Sequence, residues 1–240
     1  MTSLLKTNSI SAATGSTVSI PSGTTLEIAS GATLSGADMG LASVQTFTSS
    51  GTWTRPTGIT KCVIHVVGGG GGGGGGRSAY SYQGDGGGAG GLAIKFLDVS
   101  SISSSTITVG AATSEAAVDV VGADGNNSSW ADGTNTITGN GGSGGNRGGD
   151  SIYIAGGSAS GGDINVTGGS GAAGMSPNNS SFSGGLGGIC SHGFGGGPGA
   201  MIRSNSNNNA TGYGHGGSGG PTNSTGGSGA PGIVIVWEYK

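Results

Sequence analysis

The chain has 240 residues, of which 60 are glycine, 8% are charged and 5% are aromatic, and its formal net charge is −3. Glycine in that proportion excludes ordinary helical folds, because it is a poor helix former. The missing Gly-X-Y period excludes collagen. The small net charge argues against a charge-driven disordered tail, and the lack of a basic stripe argues against nucleic acid as a partner. No apolar run reaches the roughly 18 residues of a membrane-spanning helix, and the opening MTSLLKTNSISAATG lacks the apolar stretch of a secretory signal. Hydrophobic residues at 32% suffice for one modest sandwich core.

The first section repeats. GSTVSIPS, GTTLEIAS and GATLSGAD follow one another over residues 15–38 with a period of eight. Val18 and Ile20, then Leu26 and Ile28, then Leu34 fall at matching offsets and alternate as half-buried strands do. So few short copies cannot bury that stripe within one chain, whereas a parallel homotrimer around a threefold axis can. A solitary hairpin packed on the next domain is the plainer alternative. Residues 1–43 are therefore expected to be an attachment segment and short trimeric β shaft.

The second section predicts an antiparallel β-sandwich from residues 44–122 plus 233–240. VQTFTSSGTWT turns at Ser-Ser-Gly, and RPTG turns the chain into KCVIHVV. GLAIKFLDV, STITVGA, EAAVDVVG and GIVIVWEYK follow as further strands. The last is apolar on both faces, which predicts a central position. Trp53 and Trp237 fall in strands and are expected in the core. Cys62 alternates with Ile64 and Val66, which predicts a buried free thiol rather than a bridge.

The third section, residues 123–232, alternates glycine runs with polar connectors, and nine consecutive glycines at 68–76 open an earlier excursion over 68–91. A flexible linker would join two domains, but these runs start and end within one sandwich. A phosphate loop needs a Lys-Ser/Thr that no run carries. The remaining possibility is a lattice of polyglycine-II helices, with about three residues per turn and about 3.1 Å per residue. Without Cβ atoms, neighbouring helices approach until their N–H and C=O groups pair.

Three features stand together in this chain. They are Phe47 followed by GTW and the Pro56-x-Gly58-x-x-Lys61 spacing, a strand ending in VVGGGGGGG, and GGSGAPGIVIVWEY at the C-terminus. Their combination resembles the glycine-rich terminal domain of bacteriophage tail-fibre proteins. The interrupted runs are similar to the polyglycine-II sandwich of phage adhesins. The resemblance implies a virion protein, located on the tail fibre, that binds a host surface receptor, either an outer-membrane protein or a surface polysaccharide. It also implies contacts with other fibre or baseplate proteins through the N-terminus. It carries no catalytic motif, so neither enzyme activity nor a cofactor is expected.

His65, His192 and His215 are widely spaced, and no His-x-His appears. Cys190 and His192 are expected in an exposed turn rather than as a zinc or nucleophile site. Asp119, Asp124, Asp132 and Asp150 lack calcium-loop spacing and are expected to be solvated. The aromatic residues in polar connectors are the candidate receptor contacts: Tyr80, Tyr82, Trp130, Phe182 and Tyr213. Aromatic rings flanked by Asn, Ser and Gly combine rigid contact area with adaptable hydrogen bonds. The competing role is to cap the ends of a glycine lattice, and Phe194 is assigned to that role. A purely structural spike without receptor contact and an ice-binding protein are the rival functions. The irregular connectors argue against the ice-binding one.

Overall fold

β-branched and aromatic residues alternating along short segments give ten strands and no helix among the described residues. A computed structural model describes residues 40–77, 82–149, 153–174, 184–192 and 209–240, all within one compact unit, Met39–Lys240. The octad repeat, Tyr80, Phe182 and Phe194 lie outside the described residues.

The strands are β1 (Leu41–Phe47), β2 (Gly51–Thr54), β3 (Lys61–Val67), β4 (Leu92–Asp98) and β5 (Ser104–Thr108). The others are β6 (Ser128–Ala131), β7 (Thr136–Gly139), β8 (Ala159–Ser160), β9 (Ile164–Val166) and β10 (Ile233–Tyr239). They form two antiparallel sheets, ordered β1-β10-β3-β4-β9 and β2-β5-β6-β7-β8. β10 is internal, as its two apolar faces predict.

Between the sheets lie Trp53, Ile64, Val66, Ile107, Trp130, Ile137, Val234 and Val236. The Trp53 and Trp130 rings sit 6.2 Å apart and tilted by 52°, within the favoured range for aromatic pairs. Glu238 is a fully buried carboxylate in this core. It accepts hydrogen bonds from Trp53 Nε1 and Gln45 Nε2, both at 2.7 Å, and from the Ser43 hydroxyl. A buried polar group is tolerated only when its hydrogen bonds are so satisfied. Trp237 lies on the other face of the first sheet, half-buried beside Val67, Leu92, Cys190, Ile233 and Ile235.

The structure corrects two expectations. β6, β7, β8 and β9 come from residues 123–232, so that stretch does not form a separate distal region but completes both sheets. EAAVDVVG is not a strand. Ala116 makes one isolated bridge to Gly226, and the chain then reverses at Asp119, whose φ is 62°.

The glycine runs extend from the ends of the strands as a bundle of chain segments. Along residues 68–76 the N–H donors rotate among three neighbours. Gly68, Gly71 and Gly74 donate to Gly91, Gly88 and Asp85. Gly69, Gly72 and Gly75 donate to Asn126, Ala123 and Val120, and Gly70, Gly73 and Gly76 to Ala230, Gly227 and Ser224. These bonds measure 2.8–3.0 Å and all lie within the one chain. The carbonyls of Gly69, Gly72 and Gly75 accept from Gly142, Gly145 and Gly148. Residues 84–91 repeat the pattern, donating in turn to the 214–220, 140–146 and 169–172 segments. The backbone groups of a buried segment are thereby satisfied without a sheet.

Candidate functional site

At the end of the bundle far from the sheets, the chain reverses repeatedly. The far position follows from the pairing: Gly68 bonds to Gly91 beside the strands, while Gly76 bonds to Ser224 and Arg77 N–H to the Tyr82 carbonyl at 2.9 Å. Described residues at this tip include Arg77, Tyr82, Asp119, Val120, Gly148, Gly149 and the 221–224 turn. Arg77 Nε stands 3.5 Å from Asp119 Oδ1, a partly exposed ion pair. Asp119, Asn223 and Gly149 have φ of 62°, 55° and 93°. Asn, Asp and Gly are the residues that enter this left-handed region most readily, so the tip turns are built from the residue types such reversals require.

Tyr82 lies half-buried at the tip. Its ring comes within 3.1 Å of where a Cβ on Gly149 would stand, which leaves room for no side chain there. Tyr153 is 78% exposed along the side of the bundle, next to Ile154, whose carbonyl accepts the Gly171 N–H, while Val120 and Val121 at the tip are about half exposed. Tyr153 is not among the candidates expected from sequence. Its signal is present in SIYIA, where Ile154 is buried and alternation turns Tyr153 outward.

Trp130 is not a loop-tip residue. It is fully buried in β6, paired across the ladder with Ile107 and Ile137, and its neighbours Ser128 and Ser129 are strand residues despite their polarity. Tyr213 is half-buried at the opposite, sheet end of the bundle, packed on the Val67–Leu92–Cys190 cluster. Of the described tyrosines, the tip therefore holds Tyr82, while Tyr153 stands exposed along the bundle.

A second grouping is hidden by sequence distance. His65 Nδ1 and His192 Nε2 meet at 2.5 Å, 127 residues apart, beside the Trp237 ring. Burial, and then the neighbouring His65, lower His192 to about 4; burial also lowers His65. Cys190 is buried rather than exposed, because its side chain packs against Val67, Leu92, Ile233 and Ile235 of the first sheet. Its N–H donates to His215 Nδ1 at 3.1 Å. Burial pushes the Cys190 thiol up, and a neutral thiol is a poor nucleophile. Cys62 is also free and buried. Burial, and then the charge of Glu238, push it up to about 12. Among the described residues, no three His, Cys, Asp or Glu side chains gather as a metal site.

A family model described as a glycine-rich domain matches residues 43–239. No curated protein matches the sequence.

Proposed function

The chain belongs to the glycine-rich domain family, and from that premise we propose that it is a phage tail-fibre tip that adsorbs to a host bacterial surface. In this reading the glycine bundle is a polyglycine-II lattice and residues 15–38 form a trimeric β shaft. The attachment segment joins other fibre or baseplate proteins. The observation that carries the proposal is the gathering of chain reversals at one end of a bundle whose interior is backbone. Glycine segments have few side chains with which to select a partner, and the sandwich keeps both Trp53 and Trp130 inside its core. The tip gathers Tyr82 with the Thr222, Asn223 and Ser224 turn, a composition of adaptable recognition surfaces.

The change of donor partner at each successive residue, returning to the same neighbour every third residue, supports polyglycine-II geometry, which has about three residues per turn. A rigid lattice limits the ordering cost of presenting loops. Several copies per virion convert weak sites into avid attachment.

The experiment is adsorption of the purified chain to a panel of bacterial strains, followed by alanine variants of Tyr80, Tyr82 and Phe182. Tyr213→Ala serves as the comparison, since its ring packs at the other end. Anchors of this kind each cost about 1–2 kcal/mol when truncated. Reduced adsorption at unchanged melting temperature supports the tip. Equal binding by all three variants moves recognition elsewhere, and no adsorption to any strain favours a purely structural spike.

A further inference from the structure

The first sheet has one edge that natural sheets seldom leave open. β1 is a seven-residue edge strand with no charge and no proline in LASVQTF, and five of its seven residues are exposed. Among the described residues nothing pairs with its other side. The remaining edges are guarded. β2 has four residues and runs into Arg55 and Pro56, and β8 has two. β9 has three, and beside it Asp163 ties down β4 through Lys95 at 2.6 Å and the Phe96 N–H at 2.9 Å. Short strands, charge and proline are the usual protections against edge pairing. β1 lacks all of them.

We propose that β1 is a pairing edge whose occupant is β1 of a second copy, antiparallel, with the twofold axis at Val44. The sequence is self-complementary about that residue. An axis at Val44 sets Ser43 opposite Gln45, Ala42 opposite Thr46, Leu41 opposite Phe47 and Val44 opposite itself. Ser43–Gln45, Leu41–Phe47 and Val44–Val44 match like polarity, Ala42 and Thr46 are both small, and with no charge on the strand the copies meet without repulsion. The buried Glu238 fixes the orientation. Ser43 and Gln45 both donate to it on the inner face, so the Val44 side chain points out and is 43% exposed. The irregular register between Leu41 and Ser43 bounds the ladder. The seam is therefore short and falls below the roughly 1,200 Å² of a standard interface, so covalent capture is a better readout than elution volume.

In the full chain, Val44→Cys places two thiols on the axis. Directly opposed antiparallel residues have Cα atoms about 4.5–5.5 Å apart, within disulfide reach. Thr46→Cys puts its two copies out of reach of each other. The native Cys62 and Cys190 are buried and give little background. Under oxidised glutathione, Val44→Cys should form a covalent dimer, at twice 22.5 kDa, several-fold faster than Thr46→Cys. Val44→Lys should lower self-association by sedimentation. Equal cross-linking of the two cysteine variants, with both retaining the parent melting temperature, overturns the proposal. It stands apart from the fibre reading: Leu26→Asp is expected to weaken threefold assembly and leave the Val44→Cys cross-link intact. Loss of the cross-link in Leu26→Asp would assign Val44 to the shaft-dependent assembly instead.

Discussion

In the sandwich, Trp53, Trp130, Ile107 and Ile137 are each at most 1% exposed and fill the space between the sheets. In the glycine bundle, residues 68–76 are equally buried and carry no side chain at all. The sandwich core is held by apolar contact, with neighbouring strands paired in one plane. The bundle is held by backbone pairs pointing in three directions around each central segment. A side chain is cohesion in the first and obstruction in the second. The contrast explains how a chain with so few large apolar residues orders so much of its length. Hydrogen bonds take over where hydrophobic burial is lacking, and glycine is what lets the segments approach closely enough to make them.

The contrast is broken most severely by a side chain in the bundle. A Cβ on Gly73 would stand 2.0 Å from the Ser218 carbonyl oxygen, and one on Gly144 would stand 1.9 Å from that of Gly122. Both obstacles are backbone, so neither can rotate away. Gly73→Val and Gly144→Val are each expected to cost more than about 4 kcal/mol, the range that marks a specific packing failure. Denaturant unfolding measures this, and amide exchange should show residues 84–91 and 214–220 losing protection along with 68–76. Wild-type-like protection in either variant would show that the segments can move apart cheaply.

The corresponding damage to the sandwich is removal of a ring. Trp130→Ala empties the space between Ile107, Ile137 and Trp53, and should cost about 3–5 kcal/mol. The test is a fall in melting temperature without a change in adsorption beyond what lost stability explains. A stable variant that fails to bind would restore Trp130 as a recognition residue.

Trp130 also shows where the sequence stops being legible. β3, β4, β5 and β10 are readable because β-branched and apolar residues run over five to seven positions. β6 to β9 have two to four residues, rich in Ser, Thr, Asn and Gly, and their strand character comes from their place in the sheets rather than from their own pattern. NNSSWADG therefore reads as a connector, although Trp130 faces inward. EAAVDVVG has the opposite problem: its Val-Asp-Val alternation imitates a strand, but Val120 and Val121 end up about half exposed beside a left-handed Asp119. Tyr82 at the tip is recoverable from composition, and the exposed Tyr153 on the bundle from alternation. The His65–His192 contact is not, because one partner comes from a strand and the other from a glycine-rich segment.

That contact links bundle to sheet, and pH should test it. The folded-state affinities of His65 and His192 for protons are depressed by burial, His192 to about 4 from 6.5. The folded chain thus binds protons less readily than the unfolded chain. Stability is complete above about 6.5 and is lost as pH falls from there toward about 4. Melting temperature should drop across that window, and His192→Phe should flatten the drop. A pH profile unchanged by His192→Phe would place the acid sensitivity in other groups.

The finest test lies within the run itself, where Gly69 and Gly72 are looser than its other glycines, although Gly75 on the same face would meet the Ala117 carbonyl oxygen at 2.0 Å. A Cβ on Gly72 would meet the Thr113 hydroxyl at 3.0 Å and the Ser114 carbonyl at 3.3 Å, and one on Gly69 comes no closer than 3.2 Å to any atom. At Gly72 the nearest obstacle is a side chain, although that hydroxyl already accepts the Gly229 N–H at 2.7 Å. Gly72→Ala thus pushes against one hydrogen bond of about 1 kcal/mol net worth. It also removes unfolded-chain freedom worth about 0.4–1 kcal/mol in the opposite direction. The two nearly cancel, so stability should stay within about 1 kcal/mol of the parent. Gly73→Ala, one residue on and facing backbone at 2.0 Å, should lose several times more. Equal losses at positions 72 and 73 would mean that the bundle packs with one tightness all round, and that the space at each position does not govern which glycines can be replaced.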